Sequence, residues 1–199
     1  MNKKSNRSFP KLILKWVGGK TQIIDRLMSE FPCKMKNYNE IFLGGGSVLF
    51  AVLSKIRNGS IKCEGEIFAY DLNEPLIFVY KNIQKCPIEL YDAKIKDVFN
   101  KITGVTIICK PSSLEEGMLS KESCYYWMRS EYNRLSADEK NSIVGSSLFI
   151  FLNKTCFRGV FRVGPNGFNV PYGWNKNPDI IDVAHLNEIS ALIENVNFE

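Results

Sequence analysis

The spacing of hydrophobic positions changes several times along the chain, and the changes predict alternating strands and helices. Residues 41–43 are an apolar run that ends at three consecutive glycines, residues 44–46, and helical spacing follows from 47 to about 56. This order predicts a strand, a tight glycine turn and a helix. Glycine permits positive φ and close approach of a ligand to main-chain N–H groups. A plain structural turn is the alternative interpretation of this stretch alone.

A second predicted strand, residues 66–70, ends at Asp71, and residues 73–75 supply the N-cap, early acid and first-turn proline of another helix. This order is typical of a nucleotide-binding half-domain, in which the acid accepts hydrogen bonds from ribose hydroxyls. Leu49 stands where GxGxxG requires its third glycine. The pattern therefore argues against a nicotinamide dinucleotide and leaves adenosine-type ligands open.

Residues 15–21, Lys-Trp-Val-Gly-Gly-Lys-Thr, precede a helix predicted over roughly 21–31. The Gly-Gly-Lys-Thr tetrad suggests a P-loop, but Walker spacing requires a glycine where the chain has Leu14. The glycine pair more plausibly brings the backbone close to a ligand. Lys20 then offers a cation and Trp16 a flat apolar wall.

The middle of the chain has helical spacing. We expect helices over 90–102, 125–135 and, from a capping box, 136–152. They would form an insertion with its own small core, in which the aromatic residues pack. Further on, an amphipathic helix over 183–193 and a strand at 196–198 are predicted.

Residues 153–177 alternate β-type residues around Gly-Pro-Asn-Gly at 164–167, which predicts a hairpin. Arg158 and Arg162 lie among aromatic side chains in this stretch. Cations and aromatic rings on a hairpin suit a surface that reads a DNA groove or stacks on bases. A basic surface hairpin without a ligand is the alternative.

Composition narrows the class of protein. The 199 residues carry 26 Lys and Arg against 21 Asp and Glu, and the net charge of +5 permits a nucleic-acid partner. The six cysteines lack CxxC spacing and the single histidine has none nearby, so we expect no metal site and reduced thiols. No apolar stretch reaches membrane-spanning length, so we expect a cytoplasmic protein without a membrane partner.

Four separated motifs resemble those of the Dam-type (D12 class) DNA adenine methyltransferases. They are residues 15–20, 40–48, 71–73 and 153–173, in the family's order and across nearly the whole chain. The resemblance implies an α/β fold: an incomplete Rossmann-like sheet of S-adenosylmethionine-dependent methyltransferases with an inserted helical plus β-hairpin target-recognition domain. The implied domains are 1–86 for cofactor binding, 87–178 for DNA target recognition and 179–199 for the return to the methyltransferase domain.

The resemblance also implies ligands and contact residues. The implied cofactor is S-adenosylmethionine, at Trp16, Gly18, Gly19, Lys20, Phe42, Gly44, Gly45, Gly46, Ser47, Asp71, Leu72 and Asn73. The implied partner is double-stranded DNA, at Asn153, Lys154, Phe157, Arg158, Arg162, Asn169, Pro171, Tyr172 and Lys176. Arg162 stands at the position of the family's recognition arginine. Ile41 replaces a usual proline, and Arg158 replaces a common asparagine, so no target sequence carries over.

The family's catalytic tetrad, Asp-Pro-Pro-Tyr, occurs nowhere in the sequence. In the family it follows the recognition region, on a strand that pairs beside the glycine-turn strand. Its carboxylate and backbone carbonyl accept the hydrogens of adenine's exocyclic amine, a poor nucleophile, and its ring stacks on the flipped base. We therefore expect no catalytic residue here, an N-terminal part that is inactive alone, and an exposed apolar edge at the glycine-turn strand.

Two accounts remain open. In the first, the chain is part of an adenine N6-methyltransferase whose catalytic part was truncated or is supplied by a second chain. In the second, it is a non-catalytic subunit or regulatory module that binds S-adenosylmethionine and DNA.

Overall fold

The computed structural model describes residues 9–87, 89, 95–174, 178, 180 and 182–199. Its strands are β1 (Lys34–Met35), β2 (Tyr38–Glu40), β3 (Lys62–Cys63), β4 (Ile67–Ala69), β5 (Val163–Gly164), β6 (Gly167–Phe168) and β7 (Val196–Phe198). A parallel sheet has the order β2-β4-β7, with Ile67 paired to Tyr38 on one side and to Val196 on the other. A second parallel pair joins β1 to β3.

The strand before the glycine turn lies earlier than the hydrophobic pattern predicts. It ends at Glu40, and the next two residues are exposed, Ile41 by 56% and Phe42 by 83%. The N–H of Leu43 then donates to the carbonyl of Tyr70 at 2.9 Å. The predicted strand at 41–43 is therefore wrong in position, because most of this apolar run belongs to the turn that leaves the sheet.

Strand β2 forms one edge of the described sheet, as expected. Its most exposed residue is the polar Asn39, so the prediction of an apolar edge is wrong for the strand itself. The exposed apolar side chains belong to Ile41 and Phe42, which follow it.

Three helices pack near the sheet: α1 (Ile24–Ser29), α2 (Ser47–Arg57) and α3 (Glu74–Lys85). Helix α1 is shorter than predicted because residues 21–23 form turns before it. Helices α2 and α3 confirm their predictions. The side-chain oxygen of Asn73 caps α3 by accepting a hydrogen bond from the N–H of Leu76 at 3.2 Å, as the capping pattern predicts.

The middle of the chain is helical, with α4 (Ile95–Lys101), α5 (Leu114–Gly117), α6 (Lys121–Arg134), α7 (Ala137–Lys140) and α8 (Ile143–Thr155). Part of the helix predicted over 90–102 lies outside the described residues. Ser136 forms the predicted capping box with Glu139. The single helix predicted over 136–152 is nevertheless wrong, because Ser142 caps a new helix by accepting from the N–H of Gly145 at 3.2 Å.

The buried side chains form one hydrophobic cluster that joins the helical segment to the sheet. It includes Leu49 of α2, Tyr80 of α3, Tyr125 of α6 and Phe151 of α8. Helix α8 is buried along nearly its whole length and packs against α3. The prediction of a separate small core is therefore wrong, because a helix that is apolar on most sides must be covered from several directions.

The hairpin is confirmed: β5 and β6 are antiparallel, with Val163 opposite Phe168. Helix α6 holds it in place. Asn133 donates to the carbonyl of Phe168 at 2.9 Å and accepts from its N–H at 2.8 Å, and the hydroxyl of Tyr125 donates to the carbonyl of Val170 at 2.6 Å. The predicted C-terminal helix, α9 (Val183–Leu192), and strand β7 are both present.

Across the part of the chain that the structure describes, no helix combines the length and hydrophobicity needed to cross a bilayer. The same residues contain no group of three His, Cys, Asp or Glu side chains placed to hold a metal ion.

Candidate functional site

A cavity of about 650 Å³ opens where β2 and β4 end, between the glycine turn and the segment that precedes α1. The residues proposed from the sequence that line it are Trp16, Gly18, Gly19, Lys20, Phe42, Gly44, Gly45, Ser47 and Asp71. The residues that sequence reasoning missed are Val17, Leu27, Phe31, Tyr38, Asn39, Glu40, Leu43 and Val48. The structure thus brings three of the four motifs to one cavity.

Asp71 connects the glycine turn to the end of β4. Its Oδ2 accepts a hydrogen bond from the N–H of Gly44 at 2.9 Å, and its Oδ1 accepts one from the N–H of Asn73 at 3.0 Å. An ionised carboxylate has about four acceptor sites. Asp71 can therefore accept further hydrogen bonds from a ligand in the cavity.

The glycine turn favours glycine at its first position. Gly44 has φ +49, and a Cβ there would lie 2.7 Å from Cδ1 of Trp16. The carbonyl of Gly44 accepts a hydrogen bond from the buried hydroxyl of Tyr80 at 3.2 Å. The turn is therefore fixed from both sides, by an indole ring and by a buried phenol of α3.

Trp16 and Lys20 sit on opposite sides of the glycine pair of the first motif. The indole of Trp16 stacks with the rings of Phe161 and Phe149, at centroid distances of 6.0 and 6.4 Å. The N–H of Lys20 donates to Oγ of Ser47, the first residue of α2, at 3.1 Å. This segment is therefore anchored to Phe149 of α8 and Phe161 on one side and to the N-terminus of α2 on the other.

Glu40 is a second carboxylate in the cavity, and sequence reasoning missed it. Its Oε2 accepts a hydrogen bond from the hydroxyl of Tyr38. Burial raises the pKa of Glu40, and this hydrogen bond partly opposes the rise. The sequence did contain a signal for Glu40. It is an acid that directly precedes the apolar run 41–43, and it comes at the end of a strand, as Asp71 does.

Gly46, Leu72 and Asn73 do not line this cavity. Gly46 is the N-cap of α2, with φ +74, and it packs on Tyr80 and Phe50. Leu72 is fully exposed. Leu72 and Asn73 instead line a second cleft of about 580 Å³, together with Asp71. Its other walls come from the start of α3, from α6 and α7, and from the hairpin with Phe161.

Two arginines near the hairpin lie in different settings. Arg162 directly precedes β5, but Arg158 lies in a short 3-10 helix, Phe157–Gly159, so the prediction that the hairpin itself carries Arg158 is wrong. The Nε of Arg162 donates to Oδ1 of Asn169 at 2.7 Å across the hairpin. Arg158 has a left-handed backbone, φ 56, and its guanidinium lies 5.1 Å from the ring centroid of the half-exposed Phe157. Asn169 and Pro171 are also exposed.

Three residues proposed for DNA contact are buried instead: Asn153, Lys154 and Tyr172. The amide of Asn153 accepts from the N–H of Lys15 at 2.8 Å and donates to its carbonyl at 2.7 Å. Asn153 therefore holds the first motif, at Lys15, in place, and the structure does not put Asn153 on the exposed face of the hairpin. Lys176 lies outside the described residues.

Comparison with known proteins agrees with these motifs. Residues 16–199 match the family described as D12 class N6 adenine-specific DNA methyltransferase. The type II methyltransferase M.MjaIII of Methanocaldococcus jannaschii is 34% identical over 194 residues, covering 94% of this chain and 60% of that protein. The type II methyltransferase M.CviBI of Paramecium bursaria Chlorella virus NC1A is 25% identical over 190 residues, which cover 95% of this chain and 60% of that protein.

The DNA adenine methylase of Escherichia coli strain K12 is 29% identical over 176 residues, which are 88% of this chain and 50% of that enzyme. The chain thus spans 50% to 60% of the length of these three relatives. Because the family match covers nearly all of the sequence, this chain belongs to the D12 class N6 adenine-specific DNA methyltransferases.

Proposed function

We propose that this chain binds S-adenosylmethionine in the 650 Å³ cavity and duplex DNA at the hairpin, as the cofactor- and target-binding part of an adenine N6-methyltransferase. One observation carries the proposal: the hydrogen bond between Gly44 and Asp71 places the glycine turn and a carboxylate in the same cavity as Trp16. The proposed division into 1–86, 87–178 and 179–199, with a Rossmann-like sheet, belongs to the same proposal.

The residues present fit an adenosyl amino acid. Asp71 has acceptor capacity left for ribose hydroxyls. Lys20 supplies a cation for the carboxylate of the amino-acid end, and the exposed ring of Phe42 supplies apolar surface. Gly44 has no Cβ to collide with the indole of Trp16, so the indole can lie directly against the glycine turn at the cavity wall. When bound, S-adenosylmethionine supplies an activated methyl group on a sulfonium centre.

The proposed DNA surface consists of the exposed part of the hairpin region: Phe157, Arg158, Arg162, Asn169 and Pro171. Its two guanidinium groups can contact phosphates or base edges. Trp16 stacks on Phe161, which adjoins Arg162, so the same aromatic contact holds the cofactor motif and the hairpin together. This contact supports a DNA surface that lies beside the proposed cofactor cavity.

The sequence lacks Asp-Pro-Pro-Tyr, so we propose that the 199-residue chain binds both ligands but does not transfer the methyl group alone. The tetrad, on a further segment of the protein or on a second polypeptide, would then supply the carboxylate and carbonyl that orient the adenine amine. The same missing tetrad supports the second account, a non-catalytic subunit that binds cofactor and DNA.

The first test measures binding and transfer in parallel. Calorimetric titration of the chain with S-adenosylmethionine should show saturable binding to one site. Incubation with methyl-labelled cofactor and adenine-containing duplex should show no incorporation. Absence of cofactor binding would refute the cavity proposal, and methyl incorporation would refute the role given to the missing tetrad.

A second arm separates the two accounts. Addition of a polypeptide that carries the family's Asp-Pro-Pro-Tyr segment should restore incorporation if the chain is part of an enzyme. No restoration, together with intact binding of cofactor and duplex, would favour the non-catalytic subunit.

A further inference from the structure

Arg162 is held across the hairpin by a single residue on the opposite strand. Its Nε donates to Oδ1 of Asn169 at 2.7 Å, and its Nη2 donates to the carbonyl oxygen of Asn169 at 3.4 Å. In return, the N–H of Asn169 donates to the carbonyl of Arg162 at 3.1 Å. These two residues lie one step beyond the pair formed by Val163 and Phe168. Three hydrogen bonds thus fix both the backbone and the guanidinium of Arg162.

Gly164 makes this arrangement possible. A Cβ at Gly164 would lie 2.5 Å from Nδ2 of Asn169. The amide of Asn169 therefore crosses over the bare backbone of Gly164, and any side chain there would push it away from Arg162. Arg162 directly precedes β5 and lies two positions before Gly164, and the side chain of Asn169 lies against both.

The hydrogen bonds leave the rest of the guanidinium available. A guanidinium has five N–H donors in a fixed planar fork, and Asn169 takes two of them. Arg162 is exposed, so the remaining donors face solvent. Bidentate contact with O6 and N7 of guanine requires two such donors in one plane. Because Asn169 already holds the fork, less side-chain freedom is lost when that contact forms.

Arg158 lacks this kind of support from Asn169. Its guanidinium lies over the ring of Phe157, at 5.1 Å from the centroid. A cation over a ring face is not held by directional hydrogen bonds in the way that a paired fork is. Such a guanidinium suits a phosphate, which accepts from many directions.

We propose that Asn169 is a positioning residue that, together with the space at Gly164, orients Arg162 to read a guanine in the major groove of the target duplex. The proposal rests on the proposed binding of DNA at the hairpin. It gives Asn169 a role through Arg162, whereas the sequence had suggested only that Asn169 contacts DNA itself.

The test is a selection by the full chain from duplexes with a randomised segment around a fixed adenine. The wild-type chain should enrich guanine at one position. Arg162→Ala should abolish this preference, and Asn169→Ala should reduce it about tenfold, within the roughly 1–3 kcal/mol that a bidentate pair contributes. The double variant should lose no more than Arg162→Ala alone, because Asn169 acts through Arg162.

Two matched variants serve as controls. Asn166→Ala removes an exposed amide at the turn of the same hairpin and should leave the base preference unchanged. Arg158→Ala should weaken binding to all duplexes evenly. Thermal unfolding of each variant should show that the hairpin substitutions leave the chain folded.

The possible outcomes are distinct. The inference is overturned if the Asn169→Ala chain keeps the full guanine preference, or if this substitution weakens binding to all duplexes evenly. It is overturned equally if the double variant loses base preference at a second position of the duplex. It is also overturned if the wild-type chain binds duplex without a guanine preference. Failure of the proposed function looks different: the wild-type chain would retain no duplex even at low salt.

Discussion

The main-chain amide of Gly44 donates a hydrogen bond of 2.9 Å to the carboxylate of Asp71, which lies 27 positions further along the chain. This contact joins the glycine turn after β2 to the end of β4. It places the proposed ribose acceptor at the wall of the cavity, where a nucleoside would meet both elements.

Replacing Asp71 should weaken the binding of S-adenosylmethionine. Asp71→Ala removes the proposed acceptor for the ribose hydroxyls and should raise the Kd at least tenfold, which corresponds to about 1.4 kcal/mol. Calorimetric titration measures the change. The control is Asp97→Asn, an exposed carboxylate on α4 that does not line the cavity. An unchanged Kd in a folded Asp71→Ala chain would contradict the proposed role.

Replacing Gly44 should destabilise the chain through both backbone strain and crowding. Gly44→Ala places a Cβ 2.7 Å from Cδ1 of Trp16 at φ +49 and should cost roughly 1–3 kcal/mol. Denaturant unfolding followed by tryptophan fluorescence gives the free energy. Gly59→Ala is the matched control, because Gly59 has φ +79 with nothing within 4 Å of its Cβ position. If Gly44→Ala and Gly59→Ala lower the free energy of unfolding by the same amount, the contact with Trp16 does not contribute to the cost.

Removing the charge of Glu40 should change how stability depends on pH. Burial raises the pKa of Glu40 in the folded chain, so the native state binds its proton more tightly than the unfolded state does. The contribution of Glu40 therefore makes stability fall as pH rises through the interval between the unfolded and folded pKa values. Glu40→Gln should reduce that fall and keep an acceptor for the hydroxyl of Tyr38.

Urea unfolding at a series of pH values from 4 upward measures this effect. The control is Glu194→Gln, at an exposed carboxylate, whose free energy of unfolding should depend on pH as that of the wild-type chain does. If the free energy of unfolding of Glu40→Gln depends on pH in the same way as that of the wild-type chain does, the pKa of Glu40 is not raised in the folded chain. Burial is the main cause that raises the pKa of Tyr80, and the carboxylates of Asp71 and Glu40 raise it further.

Replacing Asn153 should affect stability and the cofactor motif, and leave base preference intact. Asn153→Ala leaves the N–H and carbonyl of Lys15 and the carbonyl of Gly159 without this partner, and it should cost roughly 1–3 kcal/mol. Denaturant unfolding gives the cost, and the duplex selection described above gives the base preference. Loss of preference at one base position, with little loss of stability, would instead support direct contact with DNA.

Signals that act within a few residues predicted much of the fold. The cap at Asn73, the capping box at Ser136 and the hairpin at residues 164–167 all appear as predicted. Each depends on hydrogen bonds or backbone preferences between near neighbours, which the order of residues specifies directly. The same signals failed at Ser142, where a second cap divides one predicted helix into two.

Features that depend on distant residues were not predictable in this way. The sequence by itself determined the motifs, the starts of α2 and α3, the hairpin and the family. Only the tertiary structure decided that Glu40 lines the cavity, that Asn153 and Tyr172 are buried, and that Asn169 holds Arg162. The physical reason is that burial and side-chain pairing are set by the surfaces that pack together, and residue spacing along the chain does not specify those surfaces.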